Sequence, residues 1–168
     1  MKRRYKRECS YLASHNSRIG VIAVLVAFCG ILMWVHGSMA PWLYQTVSEV
    51  PGTPNFTVFF LLWLLLYGCL GFLIAVYMLP AVFHSKPGLF CWAVTTLIYI
   101  LLLAWYPLFF SGLHIFLACS VLFTACILQV FSLRYSLPLI RIMLPVQFLT
   151  ILLEIYFLYV TISFLLLK

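Results

Sequence analysis

Long apolar runs, separated by short stretches that contain polar residues or proline, make up most of the chain. Five of these runs are long enough to cross a bilayer as helices, since one crossing takes about 20 apolar residues. They cover residues 19–35, 57–79, 89–110, 114–133 and 142–167. The pattern predicts an all-α fold, an integral membrane bundle of five transmembrane helices that forms a single domain over residues 1–168.

The third run ends in a group of aromatic residues around one proline. Trp105 and Tyr106 carry amphipathic rings that favour the headgroup level of a bilayer, and Pro107 is best tolerated where a helix is about to stop. We therefore expect the third helix to end within this group, with Ser111 and Gly112 turning the chain.

Two stretches outside the runs have a distinct composition. Residues 1–18 are rich in lysine and arginine, and residues 36–56 form the longest connection, broken by glycines and prolines. The tail and the first run together look like a signal peptide, but the run exceeds the roughly 7–15 apolar residues of a signal core, so we expect it to remain as a membrane helix. A loop as long as 36–56 is often a lid, although a plain interfacial loop fits equally well.

Composition and charge agree with a membrane protein. Apolar residues make up 66% of the chain and charged residues 8%, far from the usual soluble proportions of about half and a quarter. The net charge of +7 comes from basic residues near the ends of the runs, and five crossings place nine of the ten on one side. This predicts a cytoplasmic N-terminal tail, contact with membrane lipid and no nucleic-acid partner.

The sequence lacks the usual signatures of catalysis and metal binding. Its six cysteines form no Cys-x-x-Cys pair, which favours neither a disulfide framework nor a zinc site. His36 and His114 are both predicted on the outer side, without a cluster of carboxylates or thiols to complete a metal site. We expect no metal, no catalytic residues and no enzymatic activity.

Three polar residues are predicted within the bilayer. Glu154 falls near its middle, where an ionised side chain costs roughly 2.5 to 3.5 kcal/mol, so the carboxyl group must be neutral, paired or hydrated. A hydrogen bond to Tyr67, Tyr99 or Tyr156 is one solution; an interhelical clasp and a proton or ligand site both remain open. Gln129 and Gln147 lie on adjacent crossings, and their expected role is to hydrogen-bond across that helix pair.

The second run carries an aromatic stripe. Phe59, Trp63 and Tyr67 recur every four residues and therefore share one helical face, which we expect to be buried, either as packing or as the wall of a ligand site. Gly68 and Gly71 are expected to allow a neighbouring backbone to approach closely.

Several motifs from Trp42 onward occur together in one known family. They are Trp42 and Tyr44, then Pro51, Thr53 and Pro54, then Phe59, Trp63 and Tyr67, then Ala104-Trp105, Pro107-Leu108-Phe109-Phe110 and Gly112-Leu113-His114, and finally Pro145. With them the chain resembles the TspO/MBR family, the tryptophan-rich sensory proteins and translocator proteins once called peripheral benzodiazepine receptors, as a divergent member.

The resemblance implies a five-helix membrane sensor or transporter-like protein of the bacterial plasma (inner) membrane. It implies a hydrophobic small-molecule ligand, planar like a porphyrin or sterol-like, held in a cavity between the helices, and no required cofactor. The residues that it assigns to ligand binding are Trp42, in the lid, and Phe59, Trp63, Tyr67, Trp105 and Phe109. Some family members are credited with light-dependent porphyrin degradation, which the resemblance implies only weakly here.

The chain departs from the family at several pocket positions. Thr57 stands in place of a tryptophan, and Leu102, Leu149 and Phe157 stand in place of polar or tryptophan residues. The alternative function is therefore a structural or partner-binding membrane protein whose pocket is filled by apolar side chains. Small residues in the third and fourth runs are compatible with a homodimer.

Overall fold

The computed structural model describes residues 19–20, 23–24, 51–110, 114–136 and 143–167. Every regular element in these ranges is helical, and none of them contains a strand. The predictions for the basic tail, for most of the first crossing, for most of the 36–56 loop and for Trp42 lie outside the described residues.

The described ranges contain four long helices and one short one. They are α1 (Phe56–Tyr77), α2 (Pro80–Phe83), α3 (Lys86–Phe110), α4 (Ile115–Ser136) and α5 (Leu144–Leu167). All except α2 are long and apolar enough to cross a membrane. The chain is therefore a multi-pass helical membrane protein, and its predicted second to fifth crossings correspond to α1, α3, α4 and α5.

The helix starts follow local capping chemistry. Asn55 begins α1, because its side-chain oxygen accepts a hydrogen bond from the Val58 amide at 3.0 Å. Ser85 does the same for α3, since its hydroxyl oxygen accepts from the Gly88 amide at 3.1 Å. Residues 80–88, between the second and third predicted runs, contain α2 and the first turn of α3.

Helix α4 buries residues at alternating spacings of three and four. On α4 the buried residues are Ile115, Ala118, Leu122, Ala125, Gln129, Ser132 and Ser136. This spacing places one continuous seam against the neighbouring helices, as in left-handed bundles. Periodicity of hydrophobicity cannot reveal such a seam in a membrane helix, because the faces that contact lipid are apolar as well.

Contacts between helices show that neighbours run antiparallel. The Cys91 thiol near the start of α3 lies 3.8 Å from the Ser132 carbonyl oxygen near the end of α4. Tyr77 ends α1 and accepts a hydrogen bond from Gln147 in the first turns of α5. The bundle thus has a polar end, formed by the ends of α1 and α4 and the starts of α3 and α5, and an opposite, aromatic end.

Two basic side chains mark the polar end. Lys86 at the start of α3 and Arg134 in the last turn of α4 are both exposed there. Positively charged residues collect on the cytoplasmic side of membrane proteins, so this is the end that the sequence predicts to face the cytoplasm.

Gly68 and Gly88 differ in the space that surrounds them. A Cβ added to Gly68 would meet none of the described residues within 4 Å, so no described backbone approaches this position closely. A Cβ on Gly88 would instead overlap the carbonyl oxygen of Val82 and approach the Ser85 hydroxyl oxygen. Glycine is therefore required at this position in the first turn of α3, where the end of α2 lies against it.

Candidate functional site

An aromatic cluster, defined as Phe59, Trp63, Tyr67, Trp105, Phe109 and Phe157, lies where α1, α3 and α5 meet. Trp63 is at its centre, with ring centroids 4.9 Å from Tyr67, 4.6 Å from Trp105 and 5.0 Å from Phe157. Trp105 stacks on Phe109 at 4.9 Å with an interplanar angle of 12°. Separations and tilts of this kind are those at which aromatic pairs attract one another.

All six rings of the aromatic cluster are buried. The spacing of four in α1 produces this arrangement, because it turns Phe59, Trp63 and Tyr67 toward the same neighbours. Trp105 and Phe109 have the same spacing at the end of α3. The buried face predicted for the α1 stripe is therefore confirmed.

The aromatic cluster contains hydrogen-bond donors that no described residue accepts from. The indole nitrogens of Trp63 and Trp105 are buried and have no hydrogen-bond partner among the described residues. A buried donor without an acceptor costs roughly 1 to 3 kcal/mol. Trp92 has the same deficit, but it packs against Phe83 near the polar end and is separate from the cluster.

The chain segment before α1 is fastened to the aromatic end of the bundle. The Tyr159 hydroxyl donates to the carbonyl oxygen of Pro51 at 2.9 Å, and the Tyr156 hydroxyl donates to that of Gly52 at 3.4 Å. Both tyrosines lie on α5, one turn apart, beside the cluster residue Phe157. The last residues of the predicted 36–56 loop therefore lie against the aromatic end.

The structure thus gathers five of the six predicted ligand-binding residues. Phe59, Trp63, Tyr67, Trp105 and Phe109 come together, while Trp42 lies outside the described residues. The sequence did not predict Tyr156 and Tyr159 at the site, and it predicted Phe157 only as an apolar replacement at a pocket position. Phe157 continues a stripe with Thr150 and Glu154 at spacings of four and three, and this signal places it on the interior face of α5.

The residues that the resemblance places at pocket positions do not all point inward. Leu102 and Phe157 are fully buried, whereas Leu149 is 37% exposed on the outer surface of α5. Leu149 therefore fills no interior space.

Among the described residues, an apolar groove of about 460 Å³ opens between α1 and the start of α5. Its lining residues are Leu61, Leu64, Leu65, Gly68, Cys69, Phe72 and Val146. Lipid chains match this lining, which offers no polar group to orient a ligand.

Hydrogen-bonded polar side chains occupy the interior near the polar end. Gln147 accepts from the Ser136 hydroxyl at 2.6 Å and donates to the Tyr77 hydroxyl oxygen at 2.6 Å. Gln129 donates to the Thr150 hydroxyl oxygen at 2.8 Å. Each glutamine joins α4 to α5, as predicted, and Gln147 also ties in α1.

Glu154 lies deeper in the same interior. It is fully buried, about 15 Å along α5 from its first residue at 1.5 Å per residue, and it interacts electrostatically with Cys126 of α4. Neither carboxyl oxygen has a hydrogen-bond partner in the part of the chain that the structure describes. The predicted bond to Tyr67, Tyr99 or Tyr156 is therefore not formed, and the Tyr156 hydroxyl is directed to Gly52 instead.

Among the described residues, no three histidine, cysteine or acidic side chains lie close enough together to hold a metal ion. Cys69, Cys91, Cys119 and Cys126 are free thiols. The buried side chains of the bundle are aromatic at one end, and at the other end they carry amide, hydroxyl and carboxyl groups.

The fold and these two interior regions define a multi-pass helical membrane protein with an aromatic end and a polar end. Comparison of the chain with protein-family models, with curated proteins and with solved structures finds no match.

Proposed function

We propose that the protein is a TspO/MBR-like membrane sensor or transporter-like protein that binds a planar hydrophobic ligand, such as a porphyrin or a sterol-like lipid, at the aromatic cluster. The observation that carries this proposal is the pair of buried indole N–H groups of Trp63 and Trp105, which have no acceptor among the described residues. A ligand with a ring system and peripheral oxygen atoms would satisfy both features of the site.

The physical case rests on complementary chemistry. Aromatic faces bind flat apolar molecules by stacking, and a few placed donors fix the orientation of the ligand. The anchoring of Pro51 and Gly52 by Tyr159 and Tyr156 supports a role for the preceding loop as a cover over this end of the bundle. No cofactor and no catalytic residue is part of the proposal.

The proposed topology has five crossings, with residues 19–35 as the first. The N-terminus is cytoplasmic, and the membrane is the plasma membrane of a bacterium. The exposure of Lys86 and Arg134 at one end supports this orientation, since basic residues favour the cytoplasmic side. The aromatic end then faces outward, and the ligand enters from that side or from the outer leaflet.

A fluorescence titration tests the ligand site. Purified full-length protein is titrated with protoporphyrin while tryptophan emission is followed, in parallel with Trp63→Phe and Trp92→Phe. Saturable quenching by the wild type, weakened about tenfold in affinity in Trp63→Phe, is expected, because a buried hydrogen bond contributes on the order of 1.4 kcal/mol. Non-saturable quenching, or equal affinity in all three proteins, would rule out this site.

A second function is favoured by one specific observation. The rings of the aromatic cluster contact one another directly, and Phe157 meets Trp63 edge-on at 5.0 Å and 89°, as in a packed core. The same cluster would serve a structural or partner-binding membrane protein without a small ligand. In that case Trp63→Phe would lower thermal stability while no porphyrin or sterol bound to either protein.

A further inference from the structure

Unsatisfied oxygen atoms recur along the interior seam between α4 and α5. Ser132 and Gln129 on α4 and Glu154 on α5 are all fully buried. The Ser132 hydroxyl oxygen, the Gln129 side-chain oxygen and both oxygens of Glu154 have no hydrogen-bond partner within the described residues. Four such atoms in one seam are unusual, because buried polar atoms are nearly always paired.

The hydrogen bonds around Gln129 fix the orientation of its amide. The Thr150 hydroxyl donates to the backbone oxygen of Gln147 at 2.7 Å, so it can only accept from Gln129 at 2.8 Å. The NH₂ group of Gln129 therefore faces Thr150, and its oxygen is left as an unused acceptor. A carboxylate is likewise an acceptor only.

These oxygen atoms form a row that leads inward from the polar end. Ser132 lies three residues beyond Gln129 on α4, and Glu154 lies four residues beyond Thr150, the partner of Gln129. At 1.5 Å per residue the steps along the axis are about 5 and 6 Å. Single water molecules can bridge polar groups over such steps, since each water makes hydrogen bonds on two or more sides.

A positively charged ligand would satisfy the unpaired oxygen atoms of this row. Three of the four atoms can only accept hydrogen bonds, so a hydrated proton or a small hard cation would complete them, and carbonyl and carboxylate oxygens are the atoms that such cations prefer. No basic side chain serves this purpose among the described residues, because Lys86 and Arg134 are exposed at the helix ends.

Titratable side chains on the packed helices are thiols and phenols. Cys126 of α4 interacts electrostatically with Glu154. The others that face the interior are Tyr67 and Tyr77 on α1 and Cys91, Tyr99 and Tyr106 on α3. None of them carries a positive charge, so Glu154 has no cation of the described protein to neutralise it.

We propose that Glu154 is a binding site for a monovalent cation, the proton or Na⁺, reached from the polar end of the bundle past Ser132 and Gln129. The hydrogen-bonded side chains of Ser136, Gln147 and Tyr77 lie at the polar end of the bundle, where this route begins. An intramembrane acid that takes up a cation from one side is the usual device for coupling a conformational change to an ion gradient. The proposal does not depend on the ligand of the aromatic cluster.

Infrared spectroscopy of the full-length protein in lipid vesicles tests the site. The C=O band of the neutral Glu154 carboxyl group is assigned by its disappearance in Glu154→Gln, and it is followed against pH in sodium and in choline buffers. A band that falls with rising pH in both buffers equally identifies the proton as the ligand. A band that falls further when sodium replaces choline at constant pH identifies Na⁺. A band that responds to neither, while the amide bands show a folded protein, overturns the site.

The route is tested by exchange of the Glu154 proton for deuterium. Ser132→Ala removes a hydroxyl that has no hydrogen-bond partner within the described residues, so the fold should be retained. Its exchange should be slower by about tenfold, the effect of raising a barrier by ~1.4 kcal/mol. Ser120→Ala is the matched control, since this serine lies exposed on the outer face of the same helix. Exchange in Ser132→Ala that is as fast as in the control overturns the route.

Discussion

Trp63 of α1 and Trp105 of α3 pack ring against ring, with centroids 4.6 Å apart and an interplanar angle of 34°. Phe157 of α5 contacts both, at 5.0 and 5.9 Å. One point of contact thereby joins three helices that are far apart in sequence. In a bilayer this matters, because apolar side chains gain little from leaving lipid and helix association depends on close packing.

Replacing the central ring should destabilise the bundle. Trp63→Ala removes the side chain that contacts four other rings, and losses of about 3 to 5 kcal/mol are typical of large aromatic residues in packed cores. Thermal unfolding in a mild detergent measures the effect. Phe116→Ala is the control, since Phe116 is 76% exposed on α4 and its removal should change stability by no more than about 0.5 kcal/mol. Equal melting temperatures for the two variants would contradict the packing described here.

Substitution by alanine should have opposite effects on stability at Gly68 and at Gly88. Gly88→Ala places a methyl group on the Val82 carbonyl oxygen, so the turn between α2 and α3 must move, and a loss of about 1 to 3 kcal/mol is expected. Gly68→Ala meets open space within a helix and should be neutral or stabilising by up to about 1 kcal/mol. Melting temperatures of both variants in the same detergent give the comparison. A destabilised Gly68→Ala would contradict the open space that the described residues leave at this position.

The sequence predicts the spanning helices well, for a physical reason. Length and hydropathy alone decide whether a segment can cross a bilayer, so the predicted crossings from residue 57 onward coincide with α1, α3, α4 and α5 to within a few residues. The four-residue spacing of Phe59, Trp63 and Tyr67 also sufficed to predict a shared buried face.

The partners of the interior polar groups could not be predicted in the same way. These partners depend on the axial offset between two antiparallel helices, and the apolar faces of the helices do not determine that offset. Gln129 therefore pairs with Thr150, and Tyr156 pairs with the backbone of Gly52 and leaves Glu154 without it. Leu149 was likewise expected at a pocket position, but its rotation about α5 directs it to lipid.

Gln147 should be coupled energetically to Tyr77. Gln147→Leu leaves the hydroxyl groups of Ser136 and Tyr77 without this partner, and Tyr77→Phe removes one side of the same bond. A double-mutant cycle by chemical or thermal unfolding should give a coupling of about 0.6 to 1.7 kcal/mol, the range seen for hydrogen bonds between membrane helices. The pair Gln147→Leu and Ser120→Ala should be additive. Zero coupling between Gln147 and Tyr77 would mean that the 2.6 Å bond contributes nothing to stability.

Tyr159 should hold the chain segment before α1 in place. Tyr159→Phe removes the 2.9 Å hydrogen bond to Pro51, so the backbone of residues 51–55 should open more often. Loss of about 0.5 to 1.5 kcal/mol locally corresponds to roughly twofold to tenfold faster amide exchange. Hydrogen–deuterium exchange of a peptide containing this segment measures it. Tyr135→Phe is the control, because Tyr135 is similarly exposed but lies at the polar end. If amide exchange of this segment became faster in both variants, the hydrogen bond from Tyr159 to Pro51 would not be the cause.

The indole N–H groups provide the most direct test of the proposed ligand site. The protein is labelled with ¹⁵N at tryptophan, and its indole signals, assigned by single Trp→Phe variants, are followed by NMR as protoporphyrin is added. The signals of Trp63 and Trp105 should shift together and saturate, because their unused donors gain an acceptor, while that of Trp92 near the polar end stays unchanged. Saturable binding that leaves the Trp63 and Trp105 signals in place, or shifts Trp92 equally, would contradict a ligand site at the aromatic cluster.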